Sequence, residues 1–388
     1  MSIITPRGFL AAGIACGIKD GKKDLAIIST DSPTVTCAGV FTSNLAAAAP
    51  VQISKKHLLS GNSNPRAVII NSGNANAATG KQGYQTAEAI CERVAKELGC
   101  SVEEVLICST GIIGTPLPKD KVIDAVPKLV NSMGPTPQHG LDAANAILTT
   151  DTFVKQAVID KGSYSVAAMA KGAAMLAPNM ATMLAFITTD AKVSTPDLFS
   201  ALKYGVNRSF NSLSVDGCTS TNDTVLAFAS GQSSTEPTVE ELSEVFEQLC
   251  QDLAIQMMND AEGATKVLEV KVFGAIDDTQ AFKAAQKVAN SLLVKCSLYG
   301  QDPYWGRVVS ELGSAGIDFN IDLVSISYGS SQVCKSGQKA SFDPEIVKEY
   351  MSNKIITITI NLNLGQGVAR FLGCDLGPGY IEENQGTS

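Results

Sequence analysis

The stretch KGAAMLAPNMATMLAFITTD, Lys171 to Asp190, decides how this chain is read. Its second half, Met183–Thr188, is apolar and suited to a strand, while small residues, Pro178 and Asn179 fill the half before it. A turn-forming loop thus delivers Thr182 to the start of a buried strand. Two readings fit. Threonine serves there for its β propensity alone, or the Ala181-Thr182 bond is cut by the chain itself. In the second case the Thr182 hydroxyl attacks the Ala181 carbonyl, the acyl group shifts from nitrogen to oxygen, and water hydrolyses the ester. The freed Thr182 then carries a hydroxyl and an α-amine, nucleophile and base on one residue.

Outward from this stretch, extended and helical segments alternate. Leu25–Thr30, Thr34–Phe41, Ala67–Asn71, Val105–Cys108, Phe153–Ile159, Val267–Val272 and Ile355–Leu362 read as strands, from their β-branched content and turn-forming flanks. Apolar residues at helical spacing predict helices over Gln85–Leu98, Lys121–Val130, Leu141–Leu148, Asp197–Val206, Val239–Met258 and Gln280–Ser291. The mix is α/β or α+β, with no internal repeat. Gly8–Ile18 (GFLAAGIACGI) runs into the charged KDGKKD with no small-residue cleavage site, and reads as a buried glycine-rich segment rather than an export signal.

Composition narrows the function classes. The chain has 388 residues, 45% hydrophobic and 18% charged, and a formal net charge of −8. That balance suits a globular protein and argues against nucleic acid or an anionic membrane as partners. No apolar run reaches the length of a membrane span. Ten scattered cysteines form no CxxC pair, so they read as small core residues in a reducing, cytoplasmic compartment, with no metal site. The two histidines, His57 and His139, lie in polar or Gly/Pro-rich surroundings and read as surface residues, which leaves a Ser-His-Asp apparatus poorly supported.

Other constellations could carry chemistry. Ser109-Thr110-Gly111 follows a buried strand, and a glycine amide with a threonine hydroxyl can stabilise an oxyanion; alone it is a common turn. Lys171 can depress the pKa of a nearby α-amine by like-charge repulsion and bind a carboxylate; alone it is a solvated charge. Asp260-Ala261-Glu262-Gly263 places acid at a helix C-terminus, against the macrodipole, where it either meets a substrate ammonium or is a solvated helix end. The loop SGNANAATG (72–80) can bring backbone amides close to a ligand. The hydroxyl-dense run 214–224 lines a polar site or forms a turn. Asn384 to Ser388 closes the chain with small polar residues.

Taken together and in order, the motifs TPRGF (5–9), NSGNANAATG (71–80), STGIIG (109–114), LTTDT (148–152), KGAAMLAPNMATML (171–184), STNDT (220–224), DAEGATK (260–266) and DPYWGR (302–307) are specific. The chain resembles the ornithine acetyltransferase (glutamate N-acetyltransferase) family of arginine biosynthesis from about residue 5 to its C-terminus. The resemblance implies a layered α/β sandwich of mixed sheets and helices with a second, smaller α/β domain. It implies self-cleavage into chains 1–181 and 182–388, two of each per assembly. It also implies ping-pong transfer of acetyl from N-acetylornithine to glutamate through an acetyl-Thr182 ester, with no cofactor. Carried over by residue, Thr110 and Gly111 form the oxyanion hole, and Thr149, Lys171, Thr182, Glu262, Asn384 and Ser388 contact substrate. No adenine-nucleotide motif is present, and the resemblance leaves acetyl-CoA open as a second donor. The chain departs from the family pattern at Cys218, at Tyr304 and in the shortened tail NQGTS.

Overall fold

The computed structural model describes residues 2–61, 64–176 and 183–386. It divides into two compact units, one from the chain up to Asn211 with Thr219–Met257, the other from Ser212–Cys218 with Met258–Gly386. Both are mixtures of sheet and helix, as the sequence leads one to expect.

In the first unit the strands are β1 (Leu10–Ile14), β2 (Leu25–Ser29), β3 (Thr36–Phe41), β4 (Ala67–Asn74), β5 (Val105–Ile112), β6 (Lys155–Asp160), β7 (Ser165–Lys171), β8 (Leu184–Thr189) and β9 (Thr224–Ala229). The helices are α1 (Ala49–Leu58), α2 (Gly80–Leu98), α3 (Lys119–Asn131), α4 (Pro137–Ala146), α5 (Thr195–Asn207) and α6 (Val239–Asn259). One sheet runs β1-β2-β4-β5 and the other β3-β9-β8-β7-β6. Alternation along the strands explains the layers. Ala26, Ile28, Val68, Ile70, Leu106 and Cys108 face a core shared with Met169, Leu184, Phe186, Leu226 and Phe228 of the second sheet. The intervening residues, Leu25, Ile27, Ile69, Val105 and Ile107, face Ile90, Val94, Val122 and Leu129 of α2 and α3. Strands buried on both faces read as unbroken apolar runs, and that is how these were recognised.

In the second unit β10 (Val267–Ala275), β11 (Ser325–Tyr328), β12 (Ser331–Lys335), β13 (Gln338–Lys339), β14 (Ile355–Asn361) and β15 (Gly367–Cys374) form a sheet ordered β13-β12-β11-β14-β10-β15. Helices α7 (Asp278–Asn290), α8 (Leu292–Tyr299), α9 (Trp305–Gly313), α10 (Pro344–Met351) and α11 (Pro378–Glu383) accompany it. Val270, Val272, Ile358, Ile360 and Phe371 build its core with Ala281, Ala285 and Val288 of α7.

Several sequence readings shift. The Gly8–Ile18 segment is buried at its centre as expected, and there Leu10–Ile14 forms β1, paired antiparallel with β2. His57 is not a surface residue. It is 2% exposed, and its Nδ1 lies 2.7 Å from the Val105 carbonyl. The ring ties α1 to β5, so it is structural. Cys218 and Cys296 are exposed, whereas Cys37, Cys91, Cys108, Cys250, Cys334 and Cys374 are buried. No described helix is long and apolar enough to cross a membrane, and no group of His, Cys, Asp or Glu among the described residues is placed to hold a metal ion.

Candidate active site

Parallel pairing of β4 with β5 sets Gly73 opposite Gly111. Gly111 has φ +128°, and a Cβ there would lie 2.4 Å from the Gly73 carbonyl carbon. Only glycine permits that conformation and that approach. Thr110 beside it is buried, 2% exposed. Asparagines hold this strand end: the Ser109 hydroxyl donates to Asn71 Oδ1 at 2.6 Å, and Asn222 Nδ2 donates to the carbonyls of Ser109 at 2.9 Å and Ala75 at 2.6 Å. Strand β4 continues to Asn74, and asparagines brace the loop that follows, whose Asn76, Ala78, Thr79 and Gly80 line a cavity of about 770 Å³. Asn74 Oδ1 accepts from the Asn76 amide at 2.8 Å, and Asn76 Nδ2 donates to the Gly83 carbonyl at 2.9 Å.

Lys171 closes β7, where it is the antiparallel partner of Leu184, the first residue of β8. Its ammonium is 3% exposed and lies 3.9 Å from Asp151 Oδ2. Asp151 is the organiser of this corner. Its Oδ1 accepts from Lys155 Nζ at 2.6 Å and the Gly172 amide at 2.7 Å, and its Oδ2 accepts from the Thr149 amide at 3.1 Å. Burial opposes its ionisation, but the Lys171 and Lys155 ammoniums outweigh that and hold the Asp151 pKa down to about 2. One carboxylate therefore fixes Thr149 and Lys171 together. Sequence reading quoted LTTDT but gave Asp151 no role; the signal is an acid one turn from Lys155.

On the other side of β8, Leu184 pairs with Thr224 of β9. The preceding residue, Met183, donates its amide to Asp223 Oδ1 at 2.9 Å. Asp223 is fully buried, and its Oδ2 has no hydrogen-bond partner among the described residues. Burial drives its pKa well above the ordinary carboxylate range, against the Met183 amide, Ser220 and Lys171, which lower it. The polar run 214–224 is thus no mere turn. Its Asn222 and Asp223 reach the oxyanion candidates and the head of β8.

In the second unit Glu262 and Asn384 meet directly: Asn384 Nδ2 donates to Glu262 Oε2 at 2.9 Å and to the Tyr380 carbonyl at 2.9 Å. Glu262 is 7% exposed, as is Asp260, so this helix end is not solvated. Gly263 has φ +63°, and a Cβ there would come 2.0 Å from the Tyr380 amide nitrogen, so α11 packs on bare backbone. Asp375 holds the following turn, accepting from the Thr265 amide at 2.8 Å and the Lys266 amide at 2.9 Å. Of the two nonstandard positions, Cys218 is exposed and donates its amide to Asp216 at 3.0 Å, and Tyr304 precedes α9 with 55% exposure. Ala181, Thr182 and Ser388 lie outside the described residues.

The first unit thus holds a buried ammonium at the end of β7, a glycine-lined end of β5 and a buried carboxyl on the Met183 amide, and the second unit holds the Glu262–Asn384 pair. Comparison with known proteins gives the same direction. The ArgJ family profile matches residues 10–386. The arginine biosynthesis bifunctional protein ArgJ of Mycolicibacterium paratuberculosis is 44% identical, over 100% of this chain and 96% of its own. The protein of that name from Thermobifida fusca is 40% identical, with 100% of both chains covered. A crystal structure of the Bacillus halodurans arginine biosynthesis bifunctional protein ArgJ, 35% identical, matches 51% of this chain and 96% of its own with a TM-score of 0.50. A profile match across residues 10–386 and full-length relatives at such identity place the chain beyond a shared fold: it belongs to the ArgJ family of arginine-biosynthesis enzymes.

Proposed function

We propose that this enzyme cuts itself between Ala181 and Thr182 and that Thr182 then carries acetyl from N-acetylornithine to glutamate, with acetyl-CoA as a second acetyl donor. The observation that carries the reading is the convergence on the head of β8. Lys171 is paired across from Leu184, and Asp223 grips the Met183 amide, so two buried ionisable groups stand at the two residues that follow Thr182. The bond would be cut between β7 and β8, which pair antiparallel over Val166–Lys171 and Leu184–Thr189. Sheet hydrogen bonds would therefore keep chains 1–181 and 182–388 together after cleavage.

In the transfer, Thr182 Oγ attacks the acetyl carbonyl of N-acetylornithine while its proton passes to the Thr182 α-amine. The tetrahedral oxyanion rests on Thr110 and Gly111. The C–N bond breaks, the proton goes to the departing ornithine amine, and acetyl remains on Thr182 as an ester. Glutamate's α-amine then attacks the ester and the steps reverse. Lys171 takes the α-carboxylate, and its positive charge favours the neutral, basic form of the Thr182 amine. Thr149, Glu262, Asn384 and Ser388 complete substrate contact, Glu262 receiving the ornithine side-chain ammonium. The active form is two chains of each kind, in the cytoplasm.

Intact-mass spectrometry tests this. Two fragments with masses for 1–181 and 182–388, and 42 mass units (about that of an acetyl less hydrogen, by the ester chemistry) added to the second by N-acetylornithine, are expected. Thr182→Ala should leave one full-length chain without transfer. A cut chain or wild-type transfer in that variant would show that the nucleophile lies elsewhere.

A further inference from the structure

Lys19 has no part in the reading above, yet the loop that carries it is built with care. The Asp24 carboxylate, fully buried, accepts the backbone amides of Cys16 at 2.6 Å, Gly17 at 3.1 Å, Ile18 at 2.6 Å and Lys19 at 2.8 Å. Four successive amides on one carboxylate leave the loop a single conformation. The stem of Lys19 crosses Gly73, where a Cβ would meet Lys19 Cγ at 2.8 Å, and Gly73 is the ladder partner of Gly111. Its ammonium reaches past the strand to donate to the Leu148 carbonyl at 2.8 Å, next to Thr149. So Asp24 aims a lysine from the oxyanion strand toward a candidate substrate contact.

There it borders a cavity of about 340 Å³ whose lining includes Lys19, Lys22, Lys23, Thr149 and Asp151. The charges are unbalanced. Lys23 is paired with Asp142 at 2.5 Å, and Asp151 is engaged by Lys155 and Lys171. Lys19 makes only the neutral Leu148 contact with its ammonium, and neither it nor Lys22 is ion-paired among the described residues. Burial makes Lys19 a weaker holder of its proton; Asp24 and Asp151 oppose that, while Lys22 and Lys171 reinforce it. An anion in the cavity would relieve the repulsion among the three lysines that face Thr149 and Asp151.

We propose that Lys19, assisted by Lys22, binds the side-chain carboxylate of the acetyl acceptor and so selects a dicarboxylic amino acid for the second half of the reaction. The inference rests on the proposed transfer. Donor and acceptor share an α-carboxylate but differ at the far end, ammonium in one and carboxylate in the other. A single side-chain pocket of one sign would reject one of them. A cationic cavity beside Thr149 removes the conflict.

The two half-reactions can be measured apart. Acetyl-enzyme is formed with N-acetylornithine, freed of it, and discharged with glutamate or with glutamine, which has the same shape without the charge. Lys19→Met keeps the stem over Gly73 and removes the ammonium. It should reduce the preference for glutamate over glutamine by about tenfold or more, through KM for glutamate, as loss of a charge-assisted contact does. Lys22→Met, at an exposed position that folding does not need, should reduce the same preference by about two- to fivefold. A glutamate preference unchanged in Lys22→Met and in any folded Lys19→Met overturns the proposal. Absence of acetyl-enzyme in the wild type would instead overturn the transfer reading itself.

Discussion

Asp151, just before β6, and Asp223, just before β9, belong to the same unit and both bury their carboxyl groups, yet their pKa values are pushed in opposite directions. The Asp151 side chain is fully buried and stays ionised far into acid, because Lys155 lies at 2.6 Å and Lys171 at 3.9 Å. Asp223 is fully buried and its carboxyl is pushed well above the ordinary range, because burial outweighs the Met183 amide, Ser220 and Lys171, which lower it. Burial raises both; the neighbouring cations decide the outcome. The two corners thus have different uses. The first is a charged fixture that orients Lys171 and Thr149. The second is a carboxyl whose proton is favoured by burial beside the chain that begins β8, with one oxygen unengaged by the described residues.

Removing the charge where the cations are should cost the most. Asp151→Asn strands two buried ammoniums, with an expected loss of about 3–5 kcal/mol, the usual cost of breaking a buried pair from one side. Chemical denaturation of the variant against wild type measures it, and a change under about 1 kcal/mol would contradict the ionised state assigned to Asp151. Its pH signature follows from a depressed pKa. The contribution is present above the unfolded value of about 3.9 and lost as pH falls toward the folded value of about 2.

The mirror-image change should act in the opposite sense. Asp223 has a raised pKa, so its stabilising proton is fully present below the unfolded value of about 3.9 and is lost as pH rises through the folded value. Asp223→Asn keeps an acceptor for the Met183 amide and cannot ionise. Its stability relative to wild type should therefore climb with pH, reaching about 1–3 kcal/mol where wild type is forced to ionise, the penalty for an unpaired buried polar group. Melting curves from pH 4 to 9 would test it, and a flat difference would remove the contrast with Asp151. The smallest effect belongs to a pair outside both corners. Lys192 and Glu236 meet at 2.5 Å with both side chains 62% exposed. Lys192→Ala should leave the melting temperature close to that of wild type, and closer still in salt. A loss comparable to that of Asp151→Asn would show that burial is not what gives the inner pairs their weight.

Much of this was legible in the chain itself. Val105–Cys108 and Met183–Thr188 are apolar runs of strand length and mark β5 and β8, but β5 runs on to Ile112, so Ser109-Thr110-Gly111 lies within the strand rather than in a turn after it. The amphipathic stripe of residues 239–258 became α6. Less legible were β7, β9 and β15, whose SVAAMAK, TVLAFA and GVARFLGC are short, alanine- or glycine-bearing segments without clear alternation. Their pairing partners, not their propensities, make them strands. His57 misled because it lies on the buried face of α1 with Pro50, Ile53 and Ser54, a helix not read from the sequence.

The sequence by itself determined the alternation of strands and helices, the small-residue loop before Thr182 and, through motifs in fixed order, the family. These are local or linear properties, set by side-chain period and covalent order. The tertiary structure alone decided which acid is charged, which amide Asp223 holds, and that Lys19 reaches Leu148 across 129 positions of chain. Charge state depends on distance and dielectric, and both are created only when remote segments pack together.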